Sequence, residues 1–473
     1  MKKNTMYKKI KVMGDTSLIE NYKKKKNKLT NMLRISEKNY YKHILDKNRN
    51  NLSKLWKSLN VVLARKKNTI KNTIFKHNDK EISNNNDIAN HFNNYYLNMA
   101  KDLQKKITAQ TRDPCSYMKD QNKSSIFLTP TNEDEIVQII SSLKNSASGH
   151  DQIDAKIVKL IKHNISAPLV HICNLSFSQG QIPDDLKIAK VIPIYKKGDR
   201  SLFTNYRPIS ILPVFSKIIE RLAYNRIVQF LEQNNILSEN QFGFRKGRST
   251  DTAILSLVES FYEAIEEDKI MIGLFIDFSR AFDTISHPIL LKKLAYYGFR
   301  GIALEWVANY LCNRQQYVVH NNVKSRMGKI ALGVPQGSIL GPLLFLLYIN
   351  DICNISKNVS TILFADDTNI FATGKNITEV TRIMNYEINL INQWIQSNKL
   401  SLNIDKTNYM IMSAPRSKIK TDECNIMIDG KNIVRVPRTK FLGIILDENM
   451  SWKYHIEYIC NKVSKCIGIL LRA

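Results

Sequence analysis

The sequence lacks several features that would assign it to common classes of protein. Its seven cysteines include no Cys-x-x-Cys pair with a histidine partner, which argues against a zinc knuckle. The most apolar run, residues 339–349, is too short to cross a bilayer and contains Gly341 and Pro342. No secretory signal is visible, because the amino terminus is polar and basic. We therefore expect an intracellular protein of the nucleus or cytoplasm, without membrane association, whose thiols are reduced and mostly buried.

Acidic side chains are scarce relative to basic ones. The 473 residues include 70 Lys and Arg against 42 Asp and Glu, a net charge of +28. The excess is uneven, because residues 1–70 hold 20 basic and 4 acidic side chains. This balance favours a polyanionic partner, most simply nucleic acid, although a solvated charged arm is an alternative interpretation of the basic segment. The length allows a large core and several subdomains.

Two adjacent carboxylates interrupt an apolar stretch. Asp366 and Asp367 lie between residues 361–365 and 370–372, and both flanks have the composition of short buried strands. The pair is therefore predicted at the tip of a β-hairpin. Like charges side by side in a buried setting are unfavourable unless cations offset them, and carboxylate oxygens on a rigid turn suit Mg²⁺. A plain polar turn is the alternative interpretation, since Asp is common in turns.

A second acidic strand end favours the metal interpretation. Residues 271–276 form an apolar run typical of a central strand covered on both faces, and Asp277 follows it. If this strand is a neighbour of the hairpin, Asp277 and Asp366 converge on one site. Two divalent ions about 3.5–4 Å apart can clamp the attacking and leaving oxygens of a phosphoryl transfer.

Two basic segments also point to phosphate chemistry. Residues 191–210 predict a β-hairpin that projects Lys196, or alternatively Lys197, on the same side as Arg207. An Arg fork and a Lys point charge together suit a triphosphate. Residues 241–250 predict a basic loop in which Gly permits close backbone approach, aromatics can stack on bases and Arg can pair with phosphate. An ordinary surface loop is the alternative for that segment.

The ordered motifs resemble those of reverse transcriptases, namely their first catalytic motif, their Pro-Gln-Gly motif and their aromatic-x-Asp-Asp box. The residues that carry the resemblance are Phe275-Ile276-Asp277-Phe278, Pro335-Gln336-Gly337 and Phe364-Ala365-Asp366-Asp367. The order and spacing of the motifs, over roughly residues 125–470, are similar to those of non-LTR (LINE-type) retrotransposon enzymes, jockey-like ones in particular.

The resemblance implies an α+β right-hand polymerase. It places a basic helical extension at residues 1–125, fingers at 126–270, a palm at 271–455 and the start of a truncated thumb at 456–473. The implied activity is RNA-directed DNA polymerisation, with an RNA template, a DNA primer or target, dNTPs and two Mg²⁺ ions, or Mn²⁺ in their place. Related elements carry an endonuclease before this region and a full thumb after it, so we expect a fragment or a decayed copy.

The resemblance also assigns roles to individual residues. Metal-binding or catalytic roles fall to Asp277, Phe278 through its carbonyl, Asp366, Asp367 and Lys406. Nucleotide-binding roles fall to Lys196, Arg207, Phe282, Gln336 and Gly337. Template- or primer-binding roles fall to Arg245, Lys246, Arg248, Phe441, Leu442 and Gly443.

Two of these assignments have plainer alternatives. Lys406 resembles a late palm lysine near the leaving pyrophosphate, where it acts as a general acid or charge clamp, but an ordinary surface lysine also fits. Phe282 resembles the aromatic that excludes a 2′-hydroxyl and selects deoxynucleotides, but a core aromatic also fits.

Three rival functions share the same sequence features. A catalytically inactive nucleic-acid-binding remnant would keep the fold and the basic surface without turnover. A polymerase that makes RNA would accept ribonucleotides. A maturase-type intron protein is a related possibility, against which the jockey-like motifs count.

Overall fold

The structure, a computed structural model, describes residues 7, 10, 11, 19–49, 51, 54–56, 58, 74–77, 80–107, 112–414 and 424–470. The chain divides into two units, Asn72–Trp452 and the combined segments Met1–Lys71 and Lys453–Ala473. Helices and sheets are mixed throughout the first of them. No helix among the described residues combines the length and apolarity needed to cross a lipid bilayer.

The α-helices account for most of the regular structure in the described chain. In chain order they are α1 (Ile19–Lys47), α2 (Asn85–Gln104), α3 (Glu133–Ser142), α4 (Ala155–Leu160), α5 (Lys162–Gln179), α6 (Val214–Gln233), α7 (Thr250–Glu266), α8 (His287–Tyr297), α9 (Ile302–Leu311), α10 (Leu340–Ile349), α11 (Ile377–Ser397) and α12 (Lys453–Leu470).

The strands form two five-stranded sheets and several small hairpins. In chain order they are β1 (Phe75–His77), β2 (Lys80–Ile82), β3 (Ile188–Tyr195), β4 (Tyr206–Ile211), β5 (Ile270–Ile276), β6 (Gln315–His320), β7 (Val323–Lys324), β8 (Gly328–Lys329), β9 (Ser360–Phe364), β10 (Asp367–Gly374), β11 (Asn408–Met412), β12 (Met427–Ile428), β13 (Lys431–Asn432), β14 (Val434–Arg435), β15 (Arg438–Phe441) and β16 (Ile444–Asp447).

The first large sheet has the strand order β14-β11-β5-β10-β9, with β5 in the centre. Strand β5 is buried almost throughout, as its apolar run predicted. Its residues alternate between two cores: Ile272 and Leu274 face one cluster, whereas Met271 and Phe275 face the other. Because side chains alternate along a strand, both faces of the sheet must be covered, which explains the unbroken apolar run.

The second large sheet has the order β4-β3-β6-β7, with β8 also paired to β6. Strands β3 and β4 form the predicted antiparallel hairpin, in which Ile194 lies opposite Arg207. Strand β6 pairs with β3 in parallel, a contact between residues more than 100 positions apart that the sequence did not suggest.

The predicted N-terminal extension, residues 1–125, is divided by the structure. Helix α1 lies in the smaller unit and has no buried residue. Helix α2 and the β1–β2 hairpin belong to the larger unit. Their side chains form a buried aromatic cluster with the β3–β4 hairpin, in which the ring of Phe75 lies 5.1 Å from Phe92 and 4.8 Å from Phe203. Burial of these rings explains why the larger unit begins near residue 72 and not at residue 126.

The thiols are not mostly buried, contrary to expectation. Cys115, Cys173 and Cys424 are buried and Cys353 is half-buried, whereas three others are exposed. Those three are Cys312, Cys460 and Cys466. The expectation failed because two of them lie on α12, which presents much of its surface to solvent.

Candidate active site

A cavity of about 580 Å³ opens at the end of β5, where the two large sheets approach each other. It gathers eight of the residues to which the sequence assigned metal, catalytic or nucleotide-binding roles. They are Lys196, Arg207, Asp277, Phe278, Phe282, Gln336, Asp366 and Lys406. Residues separated by more than 200 positions in the sequence therefore line the same cavity.

The two acidic strand ends are neighbours, as predicted. Strand β10 runs antiparallel to β5 with Thr368 opposite Ile276, which sets Asp277 beside the Asp-Asp turn. The turn itself requires Ala365 to adopt a left-handed φ of +56°. Asp277 and Asp366 both line the cavity, whereas Asp367, the first residue of β10, does not. Successive side chains of an extended chain point to opposite faces, which accounts for the difference.

The electrostatics of the carboxylates fit a cation site. Burial raises the pKa of Asp366, and the nearby Asp277 carboxylate raises it further, against the opposing effect of Arg207. Partial burial, Asp366 and Asp277 together raise the pKa of Asp367 to about 6. A divalent ion relieves such a like-charge pair, and two carboxylates with the Phe278 carbonyl are hard oxygen donors of the kind that Mg²⁺ prefers. In the described part of the chain, no three His, Cys, Asp or Glu side chains are already clustered as a ligand set.

Lys406 is fixed beside Asp277. Its Nζ lies 3.0 Å from Asp277 Oδ2. The backbone arranges this contact, because the N–H of Asn403 donates to the Asp277 carbonyl at 2.8 Å and the N–H of Ser279 donates to Ser401 at 2.8 Å. Lys406 is thus an exposed lysine that forms an ion pair with Asp277 at the cavity.

The β3–β4 hairpin brings its two predicted cations to the cavity. Ile194 lies opposite Arg207, and Lys196 is two residues beyond Ile194, so both charges project from one face. Partial burial lowers the pKa of Lys196, with Arg207 and Lys406 acting in the same direction. Lys196 lines the cavity and Lys197 does not, which favours the first of the two alternatives.

Phe282 borders the cavity and the core at once. Its ring stacks on Phe345 of α10, with centroids 4.5 Å apart, and meets Phe244 edge-on at 6.5 Å. The two interpretations of this aromatic are thus compatible: packing against Phe345 holds the ring rigid at the cavity wall.

The Pro-Gln-Gly loop is hydrogen-bonded to β4 and to the short turn that follows β5. The Ser210 N–H donates to the Gln336 carbonyl at 2.9 Å, and the Val334 N–H donates to the Phe282 carbonyl at 3.0 Å. Gly337 passes so close to β4 that a Cβ there would lie 2.3 Å from the Ser210 carbonyl oxygen, and its φ is +132°. Only glycine fits this crossing.

Gly337→Ala is therefore expected to lower the free energy of unfolding by about 1–3 kcal/mol, since neither backbone can yield without breaking the loop contact. Urea denaturation measures the change. Gly430→Ala is the matched control, because its φ is also positive, at +70°, yet nothing lies within 4 Å of the added Cβ. Equal losses in the two variants would contradict the steric argument.

In the predicted template loop, residues 241–250, two arginines are already paired with nearby groups of the protein. Arg248 pairs with Glu239, and Arg245 donates to the Ser238 carbonyl at 2.7 Å. Lys246 is exposed. The loop is also joined to the Asp-Asp hairpin, because the Phe242 N–H donates to the Leu363 carbonyl at 2.8 Å.

The predicted primer site lies on the β15–β16 hairpin. Leu442 and Gly443 form its tip, both with positive φ. Phe441 is 3 % exposed, and its ring packs 6.1 Å from that of Phe275, so its side chain belongs to the core beneath the sheet. Within this predicted set only Gly443 is exposed, since Leu442 is half-buried against the same core as Phe441.

Three supporting residues escaped the sequence analysis. The carboxylate of Asp283 accepts hydrogen bonds from Gln336 Nε2. Gln241 Oε1 accepts from the Ala365 N–H at 3.1 Å and so braces the Asp-Asp turn. The buried Glu220 accepts from the Ile339 N–H at 2.6 Å, at the start of α10. The sequence carries a signal for Glu220 alone, because it is an acid in an amphipathic helix. The roles of Asp283 and Gln241 depend on contacts with residues distant in the sequence.

Comparisons with known proteins agree with the geometry. The sequence model of the family described as "Reverse transcriptase (RNA-dependent DNA polymerase)" matches residues 194–446. The chain is 28% identical over 377 residues to the RNA-directed DNA polymerase from mobile element jockey of Drosophila melanogaster, covering 76% of this chain and 40% of that protein. The corresponding protein of Drosophila funebris is 29% identical over 337 residues, covering 69% and 36%.

A further relative is the retrovirus-related Pol polyprotein from type-1 retrotransposable element R1 of Bradysia coprophila. It is 26% identical over 344 residues, covering 72% of this chain and 34% of the relative. The chain thus spans about two fifths or less of the length of these curated relatives.

Proposed function

Because this chain belongs to the reverse transcriptase (RNA-dependent DNA polymerase) family, we propose that it is the RNA-directed DNA polymerase of a non-LTR retrotransposon. It extends the 3′-hydroxyl of a primer with deoxynucleotides on an RNA template. The observation that carries the proposal is the shared cavity of Asp277, Asp366, Lys196, Arg207 and Gln336. Two acids beside two cations, at the junction of two sheets, match the needs of phosphoryl transfer from a nucleoside triphosphate.

The architecture is that of a right hand. In this proposal the sheet containing β5, β9 and β10 is the palm, and the β3–β4 hairpin belongs to the fingers. Helix α12 is the first thumb helix. The basic loop near Lys246 and the tip at Leu442 contact the template and the primer, and the positive net charge supports binding of both strands.

Asp277 and Asp366 would hold divalent cations, Mg²⁺ or Mn²⁺, with the Phe278 carbonyl as a further oxygen donor and Asp367 beside them, outside the cavity. Bound there, such ions neutralise charge at the α-phosphate and favour ionisation of the primer hydroxyl. The burial and mutual repulsion of the carboxylates support this assignment.

The chain's own side chains orient the reaction. Lys196 and Arg207 bind the triphosphate oxygens, while Gln336 contacts the nucleotide beside them. The primer 3′-oxygen bonds to the α-phosphorus as the bond from that phosphorus to the bridging oxygen breaks, and pyrophosphate leaves. Lys406, held at 3.0 Å from Asp277, supplies positive charge or a proton to the leaving group.

Primer extension tests the proposal. The chain is given a primed RNA template, Mg²⁺ and either dNTPs or rNTPs alone. Extension with dNTPs supports the assigned function. Binding of the primer–template without extension, where a related enzyme extends, supports the inactive remnant instead, and efficient extension with rNTPs supports a polymerase that makes RNA.

Phe282→Ala is expected to reduce discrimination against rNTPs by roughly tenfold or more, because the ring no longer blocks a 2′-hydroxyl. The ratio of kcat/KM for dNTP and rNTP measures the effect. Phe127→Ala, at a site 75 % exposed, is the control. Since Phe282 also packs on Phe345, urea denaturation must accompany the assay. An unchanged ratio in a folded variant would remove Phe282 from sugar selection.

A further inference from the structure

Gln336 is held by Asp283, a carboxylate within the stretch that resembles the first catalytic motif but to which no metal role was assigned. Its Nε2 donates to Asp283 Oδ1 at 2.8 Å and to Asp283 Oδ2 at 2.9 Å. Both side chains line the cavity that also contains Asp277 and Asp366. The contact joins residues 53 positions apart in the sequence.

The chemistry of this contact fixes the orientation of an amide. An ionised carboxylate can only accept hydrogen bonds, so it selects the nitrogen edge of Gln336 and repels the oxygen edge. Burial raises the pKa of Asp283 to about 6, with Arg280 and Gln336 acting in the opposite direction, so the group is ionised at neutral pH. Gln336 consequently keeps Oε1 as an acceptor for a hydroxyl or amino donor in the cavity.

The segment that carries Asp283 is held in turn by helix α2. Arg280 adopts a left-handed φ of +55°, which is unfavourable for a residue with a side chain and persists only where its surroundings hold it. Its Nη2 donates to Tyr95 Oη at 2.9 Å, and its guanidinium carbon lies 5.4 Å from the centre of the Tyr95 ring.

A second contact supports the same segment four residues after Arg280. Gln104 Nε2, at the end of α2, donates to the Thr284 carbonyl at 2.9 Å. Leu103 lines the same cavity as Asp277. Helix α2 therefore flanks Asp283 on both sides in the sequence, through Arg280 and through Thr284, although it lies outside the segment that the family model matches.

We propose that Asp283 and helix α2 are positioning elements of the nucleotide site: Tyr95 and Gln104 hold the 280–284 segment, and Asp283 turns Gln336 so that its Oε1 faces the bound nucleotide. This inference rests on the proposed function, since it assumes that the cavity binds a dNTP. Helix α2 thus belongs to the substrate site, not to a separate N-terminal arm.

Asp283→Asn is the decisive variant, because it preserves shape while the new amide can donate as well as accept, which frees Gln336 to present either edge. In single-nucleotide extension, KM for the dNTP should rise about tenfold with kcat changed by less than about threefold. The Kd of the dNTP, measured with a chain-terminated primer–template, should rise in parallel. Asp185→Asn, an exposed acid outside the cavity, is the matched control and should leave both values unchanged.

Two further variants separate positioning from general stability. In a Gln336→Met background, Asp283→Asn should add less than about twofold to KM, because its effect passes through the Gln336 amide. Tyr95→Phe, which removes only the hydroxyl that Arg280 uses, should raise KM about threefold, whereas Tyr386→Phe on the exposed face of α11 should not.

The outcomes distinguish this inference from the proposed function. If wild-type protein extends primers but Asp283→Asn behaves like Asp185→Asn, or adds its full effect in the Gln336→Met background, the positioning role is overturned. If wild-type protein binds dNTPs without extending primers, the proposed function fails, and the Kd values alone decide the role of Asp283. If it binds no dNTP at all, both fail.

Discussion

Asp366→Asn is expected to lower the rate of primer extension by at least about a thousandfold, because it removes a negative charge at the point where the reacting phosphate needs cations. Asn has nearly the same shape and keeps one oxygen, so the Asp-Asp turn should remain folded. The loss should appear in kcat, since Lys196 and Arg207, which we propose bind the triphosphate, are unchanged.

Binding provides the internal control for this variant. Affinity for the primer–template should be equal to or slightly above that of the wild type, because one anionic side chain near nucleic acid has been neutralised. Asp185→Asn supplies the matched change of charge away from the cavity and should keep wild-type activity. Extension by Asp366→Asn at a rate within tenfold of wild type would show that the cavity is not where catalysis occurs.

The second large effect concerns a buried ion pair outside the candidate site. Lys293 and Asp351 are 0 % and 1 % exposed, with Nζ 2.5 Å from Oδ1. Lys293 Nζ also donates to the Tyr348 carbonyl at 2.7 Å, and Trp394 Nε1 donates to Asp351 Oδ2 at 3.1 Å. The pair thereby joins α8 to α11 through the segment after α10.

Lys293→Met should lower the free energy of unfolding by about 3–5 kcal/mol, because it leaves the Asp351 carboxylate buried without its cation. Urea denaturation measures the loss. Lys292→Met, at the exposed neighbouring position, is the control and should change stability by less than about 1 kcal/mol. The double variant Lys293→Met/Asp351→Leu should recover part of the loss, since no buried charge is then unpaired. A single variant as stable as the control would mean that water or another group reaches Asp351.

The acidic core of the site was predictable because its signals are local. The apolar run ending at Asp277 and the interrupted run at Asp366 each indicate a buried strand, and strands of that kind in one chain tend to pair. The charged hairpin at Lys196 and Arg207 was predictable for the same reason, since the faces of a hairpin follow from its alternation.

What the sequence could not supply was the set of contacts between distant elements. Nothing local to Asp283 indicates Gln336, and nothing in α2 indicates Arg280 or the β3–β4 aromatic cluster. The placement of Asp367 outside the cavity likewise depends on where the turn ends and the strand begins, a matter of one residue. Such details follow from tertiary packing, which depends on residues throughout the chain and not on local sequence.

The crossing of Gly337 under β4 has a mechanical consequence. The loop is hydrogen-bonded to Ser210 and has no room to slide past it. The hairpin that bears Arg207 and the loop that bears Gln336 therefore form one rigid unit. If the hairpin moves inward over a substrate, Gln336 must move with it. The hinge of this movement must then lie elsewhere along the loop. Closure of the hairpin and contact by the Gln336 amide would then occur together. A nucleotide whose phosphates are bound by Arg207 would be contacted at the same moment on its sugar or base by Gln336.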